Sequence, residues 1–102
     1  MNETIDDLTV AFTEDQVEKV RELGKQVLSK GAWTTIIFRY QDWDAAKNCF
    51  GPVKYSIRRY QKRNNQYWQK SKFNISSDDQ AQKIITILSE WINTDITAPP
   101  TV

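Results

Sequence analysis

No histidine occurs in this chain of 102 residues, which has one cysteine, three glycines and three prolines. Without histidine, the commonest general base and the commonest metal ligand are missing. None of the three glycines stands in a phosphate-cradling motif. Asp42 and Asp44 are neighbours, yet they read as a polar strand end and not as an acid/base pair. A non-enzyme that needs no cofactor is therefore expected. The single thiol, Cys49, cannot form an internal disulfide, which fits a reducing compartment. No apolar run approaches the roughly 20 residues of a membrane helix, and mean hydropathy is −0.65. The opening Met1–Asp7 is acidic and polar, unlike the basic-then-apolar layout of a secretory signal. These features predict a cytoplasmic protein of one domain, with no membrane partner.

Charge is concentrated in the middle of the chain. Nine basic residues lie between Arg39 and Lys72, against two acids. Residues 1–31 carry a net −3, residues 32–72 carry +7, and residues 73–102 carry −3, so a formal total of +1 conceals a dipolar molecule. The basic stretch also holds Tyr40, Trp43, Phe50, Tyr55, Tyr60, Tyr67 and Trp68. Cations contact phosphates and flat rings stack on bases, so the combination suggests single-stranded nucleic acid.

The pattern predicts two helices around a β-rich centre. Thr13 and Gln16 match a capping box. After them Val17, Val20, Leu23, Val27 and Leu28 recur at helical spacing, which predicts a helix from Glu14 to Ser29 ending at Gly31. From Ala32 the period becomes two. Strands are expected over 32–43, 53–62 and 67–75, with a loop over Asp44–Pro52 and a turn at Arg63-Asn64-Asn65. Stacked by these periods, Ile36, Phe38, Val53, Tyr55, Ile57, Phe73 and Ile75 form a core face. The opposite face gathers Trp33, Arg39, Trp43, Lys54, Arg58, Tyr60, Lys62, Trp68, Lys70 and Lys72, the candidate nucleic-acid-binding set. Ser77 with Gln80 caps a last helix whose stripe is Ala81, Ile84, Ile85, Leu88, Trp91 and Ile92. The fold class expected is α+β: an N-terminal helix, an antiparallel sheet of three to four strands, and a C-terminal helix packed on the sheet. Residues 1–12 read as an N-terminal segment in which Leu8–Phe12 is a candidate short strand. Residues 13–93 read as the domain, and residues 94–102 as a disordered tail.

Lys54-Tyr55-Ser56-Ile57-Arg58-Arg59-Tyr60, followed by Lys70-Ser71-Lys72-Phe73-Asn74-Ile75-Ser76-Ser77-Asp78-Asp79-Gln80, resembles the single-stranded-DNA-binding domain of positive cofactor four, a transcriptional coactivator type, and its small bacterial members. Trp33–Trp43 resembles their tryptophan-bearing strand. The resemblance implies a homodimer built through the helices, with curved sheets that channel single-stranded DNA. Lys54, Arg58, Tyr60, Lys70 and Lys72 would then line the channel, and Trp33, Trp43 and Trp68 would stack. It also implies four strands before the helix, where three are clear in the sequence, and a transcription or DNA-maintenance accessory role.

The order helix, three strands, helix is also that of a double-stranded-RNA-binding domain. That fold places lysines at the start of its last helix to grip phosphates. Here that position reads Ser77-Asp78-Asp79-Gln80, so the single-strand reading is favoured, with RNA as an alternative ligand. A third reading is a protein-interaction module that docks a partner on the sheet face. Ile87 falls off the main stripe of the last helix. Surplus apolar surface of this kind predicts a homodimer through Ile84, Ile87, Leu88 and Trp91.

Overall fold

A computed structural model describes residues 4–94. Its chief element is an antiparallel sheet that curls into a half-barrel. The strands are β1 (Phe12–Glu14), β2 (Val17–Ser29), β3 (Trp33–Asp44), β4 (Cys49–Phe50), β5 (Lys54–Arg63) and β6 (Gln66–Ile75). They are followed by one helix, α1 (Asp78–Asn93). The sheet order is β1-β2-β3-β5-β6, and β4 folds back on the end of β3. The expected disordered tail, from residue 95 on, lies outside the described residues.

The expected α+β fold with an N-terminal helix is corrected: residues 17–29 are a strand. Asp15 and Gln16, read as part of a helix entry, have φ of 52° and 64°. They form a two-residue hairpin turn between β1 and β2, the left-handed geometry such turns require. Leu23 lies between Glu22, which pairs with Tyr40, and Gly24, which pairs with Arg39, and so forms a bulge. A second irregularity falls between Val27 and Ser29. Each bulge inserts one residue into the alternation, so Val17, Val20, Leu23 and Val27 recur at intervals of three, three and four, which imitate a helical stripe. The three valines of β2 suit a pleated surface. A methyl added at Gly24 would stand 3.5 Å from the Arg39 Cβ, an ordinary contact.

The other strands lie close to their expected bounds. The Asn64-Asn65 turn has φ of 52° and 62° at its two residues, as the β5–β6 hairpin demands. Gly31, at φ 146°, turns the chain between β2 and β3, where a side chain would be strained. The Ser77 hydroxyl accepts from the Gln80 backbone N–H at 3.1 Å and fixes the start of α1. Two acids in the first turn complement the helix dipole.

The expected division of the sheet into faces is also corrected. Ile36 pairs with Arg58, Ile37 with Ile57, Phe38 with Ser56 and Tyr40 with Lys54. Ile36 and Phe38 therefore share a face with Ser56, Arg58 and Tyr60, and not with Tyr55, Ile57 and Phe73. Alternation fixes which residues of one strand point together, but pairing between strands depends on the connection. Here that connection is residues 45–53, which carry the short β4.

The first face is the core. Residues 4–11 cross it, and Leu8 and Val10 bury themselves against Ile36, Phe38, Tyr40, Tyr60 and Tyr67. Ile5, Val20 and Val27 pack at the rim. The Lys25 ammonium donates to the Ile5 and Leu8 carbonyls, the latter at 2.7 Å, and holds the crossing segment down. Leu8–Phe12, expected as a strand, thus serves mainly as a cover, and only Phe12 enters β1. The second face, with Trp33, Ile37, Arg39, Tyr55, Ile57, Arg59, Trp68 and Phe73, has no such cover among the described residues, and only Ile75, at the α1 end, is buried on it.

The expectation that α1 packs on the sheet is met only at its start. No residue of α1 is buried. The Tyr55 hydroxyl donates to Asp78 Oδ1 at 2.7 Å, and an open apolar groove of about 540 Å³ separates Ile84, Ile85 and Leu88 from Ile37, Tyr55, Ile57 and Ile75. The molecule measures 56 × 40 × 17 Å. Its radius of gyration is 16.8 Å, where a compact domain of this length has about 13 Å.

Candidate nucleic-acid interface

The ten residues expected on one binding face divide between two. Lys54, Arg58, Tyr60, Lys62 and Lys72 lie on the covered face, while Trp33, Arg39, Trp43 and Trp68 lie on the open one. Lys70 belongs to neither ladder. Arg59 pairs with Ser71 and Tyr60 with Gln69, which leaves Lys70 in a bulge of β6.

The covered-face cations are largely engaged. Lys54 forms an ion pair with Asp42 at 3.0 Å, and this hydrogen bond raises the lysine pKa. The Arg58 guanidinium donates to Ser56 Oγ and Gln69 Oε1, both at 3.2 Å, and spans the Phe38 ring at 6.0 Å. Lys62 lies over the Tyr67 ring at 5.6 Å. These long side chains cover core aromatics with their stems and keep their charge in water. Tyr60, expected to meet a ligand, is only 4% exposed and part of the core. Its burial pushes the phenol pKa up, against the pull of Arg58. Tyr40 is raised likewise, by burial first and by Asp42 second.

On the open face the register places Trp33, Gln61 and Trp68 in one row across β3, β5 and β6. The Arg59 guanidinium stacks on the Trp33 ring at 4.4 Å. The next rows bring Thr35, Arg59 and Ser71 together, then Ile37, Ile57 and Phe73. Trp68 is 43% exposed and Phe73 54%. Trp43 stands apart at the far end, edge-on to Phe50 at 5.2 Å, while Arg21 covers the other side of that ring at 3.8 Å. Trp43 is thus half-buried structure and not a free platform.

Arg59, Arg63 and Phe73 were not among the expected site residues. Phe73 was expected on the core face, and Arg59 on neither face. The signal that could have found them is the apolar-basic alternation Tyr55, Ile57, Arg59 read together with Trp33 and Trp68. Among the described residues the ion pairs are Arg21–Glu18 and Lys54–Asp42, so Arg39, Arg59, Arg63, Lys70 and Lys72 carry charge that no acid there balances. Among the same residues no group of three or more acids and cysteines converges as metal ligands would. No helix of the described residues is long and apolar enough to cross a membrane. Of the expected dimer residues, Ile87, Leu88 and Trp91 are exposed and Ile84 is half-buried at the groove. Models of protein families, curated proteins and solved structures yield no match to this chain.

Proposed function

We propose that this protein binds single-stranded nucleic acid, DNA in preference to RNA, on the open face of its sheet. The observation that carries the reading is the row holding the exposed rings Trp33 and Trp68, with Phe73 two rows further along the same face and unbalanced cations at Arg39, Arg59, Arg63 and Lys70. Stacked bases and tracked phosphates need this pairing of ring and charge. Arg59 on Trp33 keeps its guanidinium N–H groups directed outward, where an arginine stacked on an aromatic still reaches phosphate. Lys72 and Lys62, on the other side of the same strands, add to the field that draws in a polyanion.

The resemblance to positive cofactor four supports the same reading. It implies four strands and then a helix, and β2, β3, β5 and β6 are four long antiparallel strands followed by α1. The working unit is a homodimer. Trp91 and Ile92 are 67% and 77% exposed, the groove beneath α1 is apolar and empty of protein, and the monomer is far from compact. A second copy of the helix seated there would cover all three liabilities at once. The setting is the cytoplasm, where a lone exposed cysteine stays reduced.

The test is a titration of intrinsic tryptophan fluorescence with oligo-dT, oligo-U and a matched duplex. Quenching by oligo-dT is expected, with a log–log salt slope of about −0.7 per phosphate contact. A flat salt dependence, or tighter binding of the duplex, would overturn the reading.

A further inference from the structure

At the tip of the β5–β6 hairpin is a cleft of about 280 Å³ lined by Arg63, Asn64, Trp68 and Lys70. We infer that this cleft is a nucleotide pocket in its own right, taking one base against the Trp68 ring and the attached phosphate between Arg63 and Lys70. The inference rests on the single-strand reading above and adds to it a place where the ligand is gripped one nucleotide at a time.

Three observations converge on it. Trp68 projects from the strand end with 43% of its surface exposed, although its in-row neighbour Gln61 is half-buried. A large ring held by a rigid strand and left open on one side offers a stacking surface at little entropic cost. The bulge then matters: it frees Lys70 from the ladder, and Lys70 lines the same cleft as Trp68. A bulge re-aims a side chain in this way, and bulges are enriched beside functional sites. Finally, the Asn64-Asn65 turn closes the cleft. Its left-handed residues fold the chain back where Arg63 and Asn64 line the cleft together with Lys70. The Asn64 carboxamide offers both a donor and an acceptor to a base edge.

The lining is two cations, one amide and one ring, with no acid among them. Such a set suits a monoanionic or dianionic phosphate carrying a planar group. It does not suit a cation, an acyl chain or a bare sugar. The site also lies at the opposite end of β6 from α1 and its groove, so a nucleotide there and a second copy of the chain do not compete.

The pocket is tested by titrating thymidine monophosphate, thymidine and inorganic phosphate into the full chain while backbone and indole N–H signals are followed by NMR. Thymidine monophosphate should shift the Trp68 indole together with Arg63, Asn64 and Lys70, saturating at about millimolar concentration, as one stacked base and two charge contacts allow. Phosphate should move Arg63 and Lys70 alone, and thymidine Trp68 alone. Lys70→Ala should weaken the mononucleotide several-fold, and Trp68→Ala about tenfold or more, with oligo-dT weakened in step. If oligo-dT binds while thymidine monophosphate leaves these four residues unmoved, the pocket is wrong and the single-strand reading stands. If neither binds at low salt, both fall. Aggregation of Lys70→Ala with unchanged mononucleotide shifts would assign Lys70 to guarding the exposed edge of β6, and would also overturn its role in the pocket.

Discussion

The two faces of one sheet have opposite fates. On one, Ile36 and Phe38 are wholly buried beneath a segment that carries Leu8 and Val10. Its cations are spent on an ion pair, on hydrogen bonds and on aromatic rings. On the other, residues of the same types are less covered: Phe73 on β6 is exposed where Phe38 on β3 is not, Ile57 on β5 is half-buried where Ile36 on β3 is wholly buried, and Arg59 is more exposed than its neighbour Arg58. The sheet is shared; the cover is not. A sheet face becomes core or interface according to what the rest of the chain lays over it, and here the described residues lay a segment over one. The second face, with α1 standing off it, is therefore available to a ligand or a second copy.

The sharpest way to break that comparison is a matched pair of truncations. Phe38→Ala should lower stability by about 3–5 kcal/mol, the cost of emptying a buried aromatic site, as read by chemical denaturation. Phe73→Ala should cost only a small fraction of that. Equal losses would show that the second face is also core.

Next in size is the helix. Trp91→Ala is expected to weaken self-association by about 2 kcal/mol, the scale of an interfacial hot spot, measured by sedimentation across a dilution series. Unfolding of the monomer should change little, because no residue of α1 is buried there. A wild type that stays monomeric at high concentration would remove the dimer from the proposal.

Trp68→Ala then separates stacking from packing. Oligo-dT binding should fall by about 1–3 kcal/mol while the melting temperature stays nearly unchanged. If the variant melts early instead, the ring is part of the core and the open face is not a platform.

The smallest effect is on the alkaline side. Burial raises the Tyr60 pKa in the folded state, so its contribution to stability is present below the unfolded value of about 10 and is lost as pH rises through the folded value. Tyr60→Phe should therefore move the alkaline unfolding transition, followed by circular dichroism, to higher pH. Tyr55 on the open face is also raised, first through its hydrogen bond to Asp78. Tyr55→Phe should loosen the start of α1 and, because Tyr55 is solvent-screened, move that transition less than Tyr60→Phe does.

Much of this arrangement was legible in the residues. Alternation from Trp33 onward, the Asn64-Asn65 turn and the Ser77 cap gave three strands and the last helix to within a residue or two. The strand over Val17–Ser29 was not legible, because its bulges break the period on which strand recognition depends and leave a spacing that suits a helix equally well. The face assignment failed for a different reason. The alternation of β3 and β5 was right, but a nine-residue connection with a strand of its own sets no register that local sequence can reveal. In β6 the bulge at Lys70 swaps the faces beyond it, so that Trp68 and Lys72 part. Trp33, Arg39, Trp68 and Lys70 were identified as exposed candidates because large rings and cations on strands are conspicuous. Tyr60 was misplaced with them because its burial comes from Leu8 and Val10, some fifty residues earlier, which no local pattern reports.

The covering segment also bears on the order in which the chain is made. Leu8 and Val10 leave the ribosome before any strand they will lie against. Their partners Ile36, Phe38 and Tyr40 follow about thirty residues later, and Tyr60 and Tyr67 later still. During synthesis the segment therefore waits, exposed and unpaired, while the hairpins behind it close through local contacts. Docking it is the step that turns a row of hairpins into a folded domain. The acids in and around it, Asp6 and Asp7 with Glu14 and Asp15 close behind, keep two core side chains in solution through that interval.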